Sequence, residues 1–360
     1  MNHPHGIKDS KTPMIRLVAW ETTRRCNLSC KHCRASAEDH EYEGELSTDE
    51  SKKLLKEISE VGKPIIILTG GEPLLRDDIF ELAEYGDSLG LKMVMAPNGT
   101  LVTEENAKKM YASGIKRISI SIDGSNEKSH DEFRGMPGAF KGSMQGIENA
   151  KKAGIEFQIN TTITKDNLDE IPDILNLAIE LGAVAHHIFL LVPTGRGKYI
   201  AEKTIDAKTY EKTLNWFYDQ RDKVPLQLKA TCAPHYYRIL RQRARKEGKE
   251  VDFSSFGLDA VTRGCLGGIG FCFISHTGQV QPCGFLELDC GNIKEKSFSE
   301  VWEKSKIFND LRDYDALKGK CGICSYNDVC GGCRARAYEA TGDYMEEEPF
   351  CLYQPGQVQK

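Results

Sequence analysis

Between residues 14 and 192 the chain repeats one pattern six times: a short apolar β-like run, then a segment of helical length. The runs are MIRLVAW (14–20), PIIILT (64–69), LKMVMA (91–96), IKRISISID (115–123), IEFQINTTIT (155–164) and AHHIFLLV (185–192). Helical periodicity falls near 48–60, 77–89, 103–113, 140–153, 168–181 and 206–221. Strands joined by helical crossovers pair in parallel, so the sheet has distinct N- and C-terminal ends. STDE (47–50) and DNLDE (166–170) carry helix-starting residues with acids in the first turn. Gly62, Gly90, Gly114, Gly154 and Gly182 stand at helix ends, where left-handed backbone suits glycine. Runs this apolar predict a sheet buried on both faces. Six units stop short of the eight that close a TIM barrel. The predicted fold is therefore α/β, an open partial (β/α)6 barrel with its chemistry at the C-terminal ends of the strands.

Beyond about residue 225 the pattern changes. LQLKATC reads as a possible further strand, HYYRILRQRARKEGK as a basic helix, CFISHTGQVQPC as a hairpin turning at HTGQ, and SFSEVWEKSKIF as a short helix. The segment 265–351 is rich in Gly and Cys, and so small a region needs metals to help fix it. The expected division is a core over 14–225, a helical linker over 226–264 and a small Cys-rich domain over 265–360.

Thirteen cysteines are many for a chain that also shows no apolar segment after its start MNHPHGIKDSKTP, where a secretory signal would stand. A reducing cytoplasm is the expected compartment, and it disfavours structural disulfides. The thiols cluster: three at 26–33, one at 232, nine between 265 and 351 and none between 34 and 231. Metal binding at the two ends explains that gap better than scattered core cysteines. A formal net charge of −5 argues against a nucleic-acid binder, and no run approaches the length of a membrane span.

The sequence Cys26-xxx-Cys30-x-His32-Cys33 offers three thiols and no fourth. A structural zinc fills all four positions, and an electron-transfer four-iron cluster takes four cysteines. Three thiolates leave one metal corner for a ligand that is not protein; a partial zinc site is the alternative.

This spacing after a first strand resembles the signature of the radical S-adenosylmethionine (SAM) superfamily. The resemblance implies that Cys26, Cys30 and Cys33 hold a [4Fe–4S] cluster whose open iron chelates the amino and carboxylate groups of SAM. TGGEP (69–73), PNGT (97–100) and SIDG (121–124) fall where that family contacts SAM. Gly70, Gly71 and Glu72 are thus expected near the SAM amino group, with the paired glycines allowing a close main-chain approach. Asn98 is a further expected contact, and Ser121, Asp123 and Arg134 are candidates for ribose and carboxylate recognition. Asn160 and Thr162 in QINTTIT are either cofactor contacts or satisfied strand-end residues. Leu190 or Val192 either packs on adenine or belongs to the core.

The C-terminal cysteines resemble the auxiliary-cluster region called SPASM. By that resemblance Cys265, Cys272, Cys283 and Cys333 hold one cluster, and Cys321, Cys324, Cys330 and Cys351 a second. Cys330 and Cys333 lie one residue closer than the family's usual step, so one auxiliary cluster or two stays open, and zinc is the alternative for Cys321-xx-Cys324. Cys232 and Cys290 are left as plain buried thiols.

Within the superfamily the chain resembles the heme b synthases of the siroheme-dependent route. These oxidatively decarboxylate two propionates of Fe-coproporphyrin III to vinyls by way of a 5′-deoxyadenosyl radical. A ferredoxin or flavodoxin is the implied electron donor. A tetra-anionic porphyrin calls for cations, since guanidinium matches carboxylate. Arg196 and Lys198 in PTGRGK, with His235, Tyr236 and Arg238 in CAPHYYR, are the substrate candidates; no catalytic residue is assigned. The alternatives are the didecarboxysiroheme deacetylase of the same route, a SPASM peptide-modifying maturase, and a non-enzymatic iron–sulfur or zinc scaffold.

Overall fold

The structure, a computed structural model, describes residues 12–356; the NHPHG start lies outside them. One ten-stranded sheet organises the chain. Strands β1 (Leu17–Thr23), β2 (Ile65–Gly70), β3 (Lys92–Met95), β4 (Arg117–Ser121), β5 (Glu156–Ile163), β6 (Ala185–Leu190) and β7 (Gln227–Thr231) pair in parallel in that order. Helices cross between them at 48–61, 79–88, 104–112, 139–152, 171–181 and 207–220, close to the predicted spans. The capping box at Ser47 and Glu50 forms as STDE predicts. DNLDE instead makes a 3-10 turn, and the helix starts at Ile171 with a proline in its first turn. Gly90, Gly114, Gly154 and Gly182 are left-handed; Gly62, with φ 178°, is extended.

The sheet runs past both expected domain boundaries. β7 lies inside the segment expected as a linker and extends the barrel to a seventh strand. The hairpin of β8 (Phe271–Ile274) and β9 (Gln279–Gln281) forms at HTGQ, and β8 then pairs in parallel with β1, Cys272 opposite Val18. β10 (Gly291–Asn292) closes that edge. The Cys-rich segment thus adds to the barrel's own sheet instead of building a separate one.

Burial on both faces does not hold. Val18, Trp20, Ile66, Leu68, Met95, Ile120, Ile159 and Ile188 are buried in the apolar core with the helices. Their alternates, including Ala19, Ile67, Ser121, Asn160, Thr162, His187 and Lys229, are only half-buried. A period of two puts these on the other face, which is polar from β4 to β7.

Candidate iron–sulfur and nucleotide site

The strand ends gather the N-terminal motifs. Beyond β1, Cys26, Cys30 and Cys33 pack together in one loop with Leu28, Ala35 and Ala37. Main-chain bonds tie that loop down, Cys26 N to Glu38 O (3.0 Å) and Lys31 N to Phe133 O (3.0 Å). His32, at the position before the third cysteine, stacks on Phe133 with centroids 4.6 Å apart. Burial, then Arg134 and Arg196, lower its pKa well below the ordinary value, so the ring serves as a neutral aromatic plate. Burial pushes the Cys26 thiol up to about 12 and raises Cys30, against the pull of Arg134. Metal loading therefore has to displace thiol protons. Arg134 donates to Cys30 Sγ (3.7 Å) and pairs with buried Asp123 (2.5 Å), placing a fixed cation beside the thiols.

The glycine pair of TGGEP works differently from the expectation. A Cβ at Gly70 would fall on Thr23 O, and one at Gly71 on the carbonyl oxygens of Arg24 and Arg25. The close approach is made by the cysteine loop's own main chain, with Gly71 N donating to Thr23 O and Glu72 N to Arg25 O (2.8 Å each). Glu72 is fully buried and accepts from Asn98 N (2.6 Å) and Leu74 N (3.1 Å), while burial lifts its carboxyl to about 7. Asn98 donates to Asn27 Oδ1 (2.8 Å) inside the cysteine loop. Asp123 also accepts from Thr162 N (2.6 Å), and Ser121 pairs with Asn160 across β4 and β5. Gly70, Gly71, Glu72, Asn98, Ser121, Asp123, Arg134, Asn160 and Thr162 thus share the strand ends around the cysteines. Leu190 does not: it is buried in the helix-side core, so the adenine contact expected of it is corrected to a packing role.

The C-terminal thiols form two groups. Cys321, Cys324, Cys330 and Cys351, the set expected for the second cluster, line one cavity together with His235 and Arg238. Cys321 Sγ accepts from Arg334 Nη2 and from Glu348 N, both at 3.5 Å. In the other group, burial and then the thiolates of Cys265 and Cys333 raise the Cys283 thiol. Cys272 is not with them. It is wholly buried in the main core, and its thiol neighbour is Cys290. Strand alternation puts Cys272 and Ile274 on the core side of β8, which removes Cys272 from the expected ligand set.

The substrate candidates separate. Arg196 donates to Cys30 O (2.9 Å) and Ala37 O (2.8 Å), so it clamps the cysteine loop and is not a free porphyrin contact. Tyr236 is fully buried among Phe217 and Tyr237, a core residue. Arg238 is committed to Glu211 (2.9 and 2.5 Å) and Gln242 (2.7 Å) at the wall of the second cysteine cavity. His235 faces that same cavity, edge-on to Tyr210, with its pKa lowered to about 3, chiefly by burial. Lys198 lies at the surface, 3.5 Å from Glu339.

Residues 20–178 match the radical SAM superfamily, and residues 265–334 match SPASM, the iron–sulfur cluster-binding domain. An AdoMet-dependent heme synthase of Oleidesulfovibrio alaskensis is 58% identical over 99% of this chain and 91% of its own. The chain belongs to the radical SAM superfamily. A second AdoMet-dependent heme synthase, from Methanosarcina barkeri, is 56% identical over 95% of this radical SAM enzyme and 97% of its own length. The Fe-coproporphyrin III synthase of the same organism is 33% identical over 93% and 87%. Among solved structures, anSMEcpe with bound AdoMet and Cp18Cys peptide superposes with a TM-score of 0.70 over 94% of both chains. Streptococcus suis SuiB bound to S-adenosylmethionine does so with 0.72 over 95% of this chain and 78% of its own. At 20% and 17% identity these two show the fold alone.

As a radical SAM enzyme with a SPASM domain, the protein uses a [4Fe–4S] cluster, SAM and auxiliary iron–sulfur clusters. The residues fit those groups: three packed cysteines with a guanidinium beside them, and a separate four-cysteine cavity. Among the described residues no helix is long and apolar enough to cross a membrane. Two features escaped the sequence reading. Glu21, fully buried on β1, accepts from Arg34 (2.7 Å), Arg24 (3.2 Å) and His276 (2.7 Å), joining the cysteine loop to the β8–β9 turn. Burial alone would raise its carboxyl, but Arg34, His276 and Arg24 hold it well below the usual carboxylate range. The second is a polar row on the face opposite the helix-side core, Ser121, Asn160, His187 and Lys229, in register on β4 to β7. Strand periodicity at HHIF and QLKAT carried that signal.

Proposed function

We propose that this enzyme is a cytoplasmic heme synthase that converts Fe-coproporphyrin III to heme b by oxidative decarboxylation of two propionates to vinyls. The observation that carries the proposal is identity above 55% over nearly the whole chain to two AdoMet-dependent heme synthases. The Fe-coproporphyrin III synthase stands at 33%, which ranks the deacetylase reading second.

Cys26, Cys30 and Cys33 would hold the first cluster, and with SAM it supplies a hydrogen-abstracting radical. Each conversion takes one hydrogen atom from the propionate β-carbon, releases carbon dioxide and gives up one electron. Cys321, Cys324, Cys330 and Cys351 give the chain a place to hold an electron acceptor, and a ferredoxin or flavodoxin is the proposed external donor. Arg196 and the Gly70–Gly71 pair fix the cysteine loop, so the reacting groups meet in one orientation. Lys229 takes over the role expected of Arg196 and Arg238. It pairs in register with His187, and burial lowers its pKa while the nearby carboxylate Asp259 raises it, so a substrate carboxylate would add to the charge Asp259 already offers. His187 is neutral, its pKa lowered to about 3 chiefly by burial, and its Nδ1 lies 3.0 Å from Gln158.

The test is anaerobic turnover of the reconstituted full chain with SAM, dithionite and Fe-coproporphyrin III, read by mass spectrometry. Loss of two carbon dioxide equivalents is expected. Deoxyadenosine release with the porphyrin unchanged, and acetate loss from didecarboxysiroheme instead, would overturn the reading.

A further inference from the structure

With Cys272 in the core, the first auxiliary group has three cysteines from the SPASM region: Cys265, Cys283 and Cys333. We propose that Cys232, from the barrel, is the fourth ligand of that cluster. It lies outside the SPASM match at 265–334 and directly follows β7.

Three independent observations converge on it. Its side chain packs with Cys283 and Cys333 in one small cluster around Val192, Leu286 and Ala335. Its backbone is left-handed, with φ 53°, a conformation that among non-glycine described residues only Ser36 shares. Such backbone is unfavourable for a residue with a Cβ and persists where the surroundings over-determine it, commonly at functional sites. A plain turn at this φ would favour glycine, so a cysteine here departs from what the backbone alone prefers. Finally, the Cys232 carbonyl accepts from Arg336 Nη2 (3.1 Å) and Tyr210 Oη (3.2 Å). Arg336 sits three residues after Cys333 and is itself paired with fully buried Glu348. One guanidinium therefore ties the end of β7 to the segment carrying Cys333 and places a positive charge beside the thiols. Four thiolates from two parts of the chain would close the coordination of a four-iron cluster.

The inference rests on the chain carrying an auxiliary cluster, not on which porphyrin it converts, so it can fail while the heme reading stands. The experiment compares Cys232→Ala, Cys283→Ala and Cys272→Ala in the full chain, reconstituted anaerobically. Iron and sulfide are counted, and the dithionite-reduced protein is examined by electron paramagnetic resonance. Cys232→Ala and Cys283→Ala are expected to affect the same signal. Each should lose about four irons, or carry a cluster with new g-values that respond to added imidazole. Cys272→Ala should keep the full iron content and the native spectrum. Native iron and spectrum in Cys232→Ala would overturn the proposal. So would loss of the cluster in Cys272→Ala, an arm that decides even if Cys232→Ala does not fold. The first-cluster signal and its response to SAM report folding in every variant.

Discussion

Glu348→Gln removes one charge from a pair whose side chains are 0% and 3% exposed, Glu348 and Arg336. Glu348 accepts from Arg336 (3.1 Å) and from Cys333 N (2.8 Å), and its own N–H donates to Cys321 Sγ, so it stands between the two auxiliary groups. Burial disfavours both charges, yet Arg336 holds the Glu348 carboxyl below its ordinary value, so the pair is ionised at neutral pH. Its contribution is present above the ordinary carboxylate pKa and is lost as pH falls through the lowered one. Breaking such a pair from one side costs about 3–5 kcal/mol, because the other charge stays buried. At about 2.1 cal/mol/K per residue, a chain of 360 residues has an unfolding entropy of about 0.76 kcal/mol/K. Thermal melting of the anaerobic holoenzyme should therefore fall by about 4–7 °C. Breaking the exposed pair Glu104–Lys108 should move it by about 1 °C or less. Replacing both charges, Glu348→Leu with Arg336→Met, should recover much of the loss. A Glu348→Gln melting point within about 1 °C of the parent would refute the reasoning.

Gly71→Ala puts a methyl on the Arg24 and Arg25 carbonyls, so the first cluster should fail to assemble while the auxiliary signals persist; a normal first-cluster spectrum would contradict this. His186 has its pKa lowered by burial from 6.5 to about 4, and its Nε2 lies 2.9 Å from Thr161 Oγ1. The unfolded chain takes up a proton there first, so stability falls as pH drops from about 6.5 to about 4, by about 1.4 kcal/mol per unit. His186→Gln should flatten that part of the melting-point profile against pH. Lys229→Met should weaken Fe-coproporphyrin III binding about tenfold or more, the value of a charge-assisted hydrogen bond, while SAM binding measured by titration stays unchanged.

Periodicity made the barrel legible: every predicted strand through β6 is present, and the helices fall within a few residues of their expected spans. What it could not supply was partnership between distant segments. The helix Glu127–Arg134 escaped because EKSHDEFR has one large apolar residue and starts on an Asn126 cap, not on an apolar stripe. Arg196 and Arg238 looked like anions' partners because spacing shows a charge but not the carbonyl or carboxylate that consumes it. The resemblance to SPASM groups Cys272 with Cys265, Cys283 and Cys333, although alternation in FCFI puts it with Ile274 on the core side. Cys232 reads as a plain buried thiol in the sequence because the 100 intervening residues conceal how the end of β7 meets Cys333. At the first cluster the local spacing sufficed, since all three thiols lie within eight residues.

The parallel seam between β1 and β8 gives the molecule a mechanical property. The strand that launches the cysteine loop is flanked on one side by the C-terminal region, and Glu21 bolts both to the same carboxylate. Excising everything after residue 264 would therefore strip β1 of a neighbour and leave a raw border prone to sticking to other chains. It would also cut the brace that steadies the first three thiols. The two halves are welded, and neither should be studied as a detachable cassette.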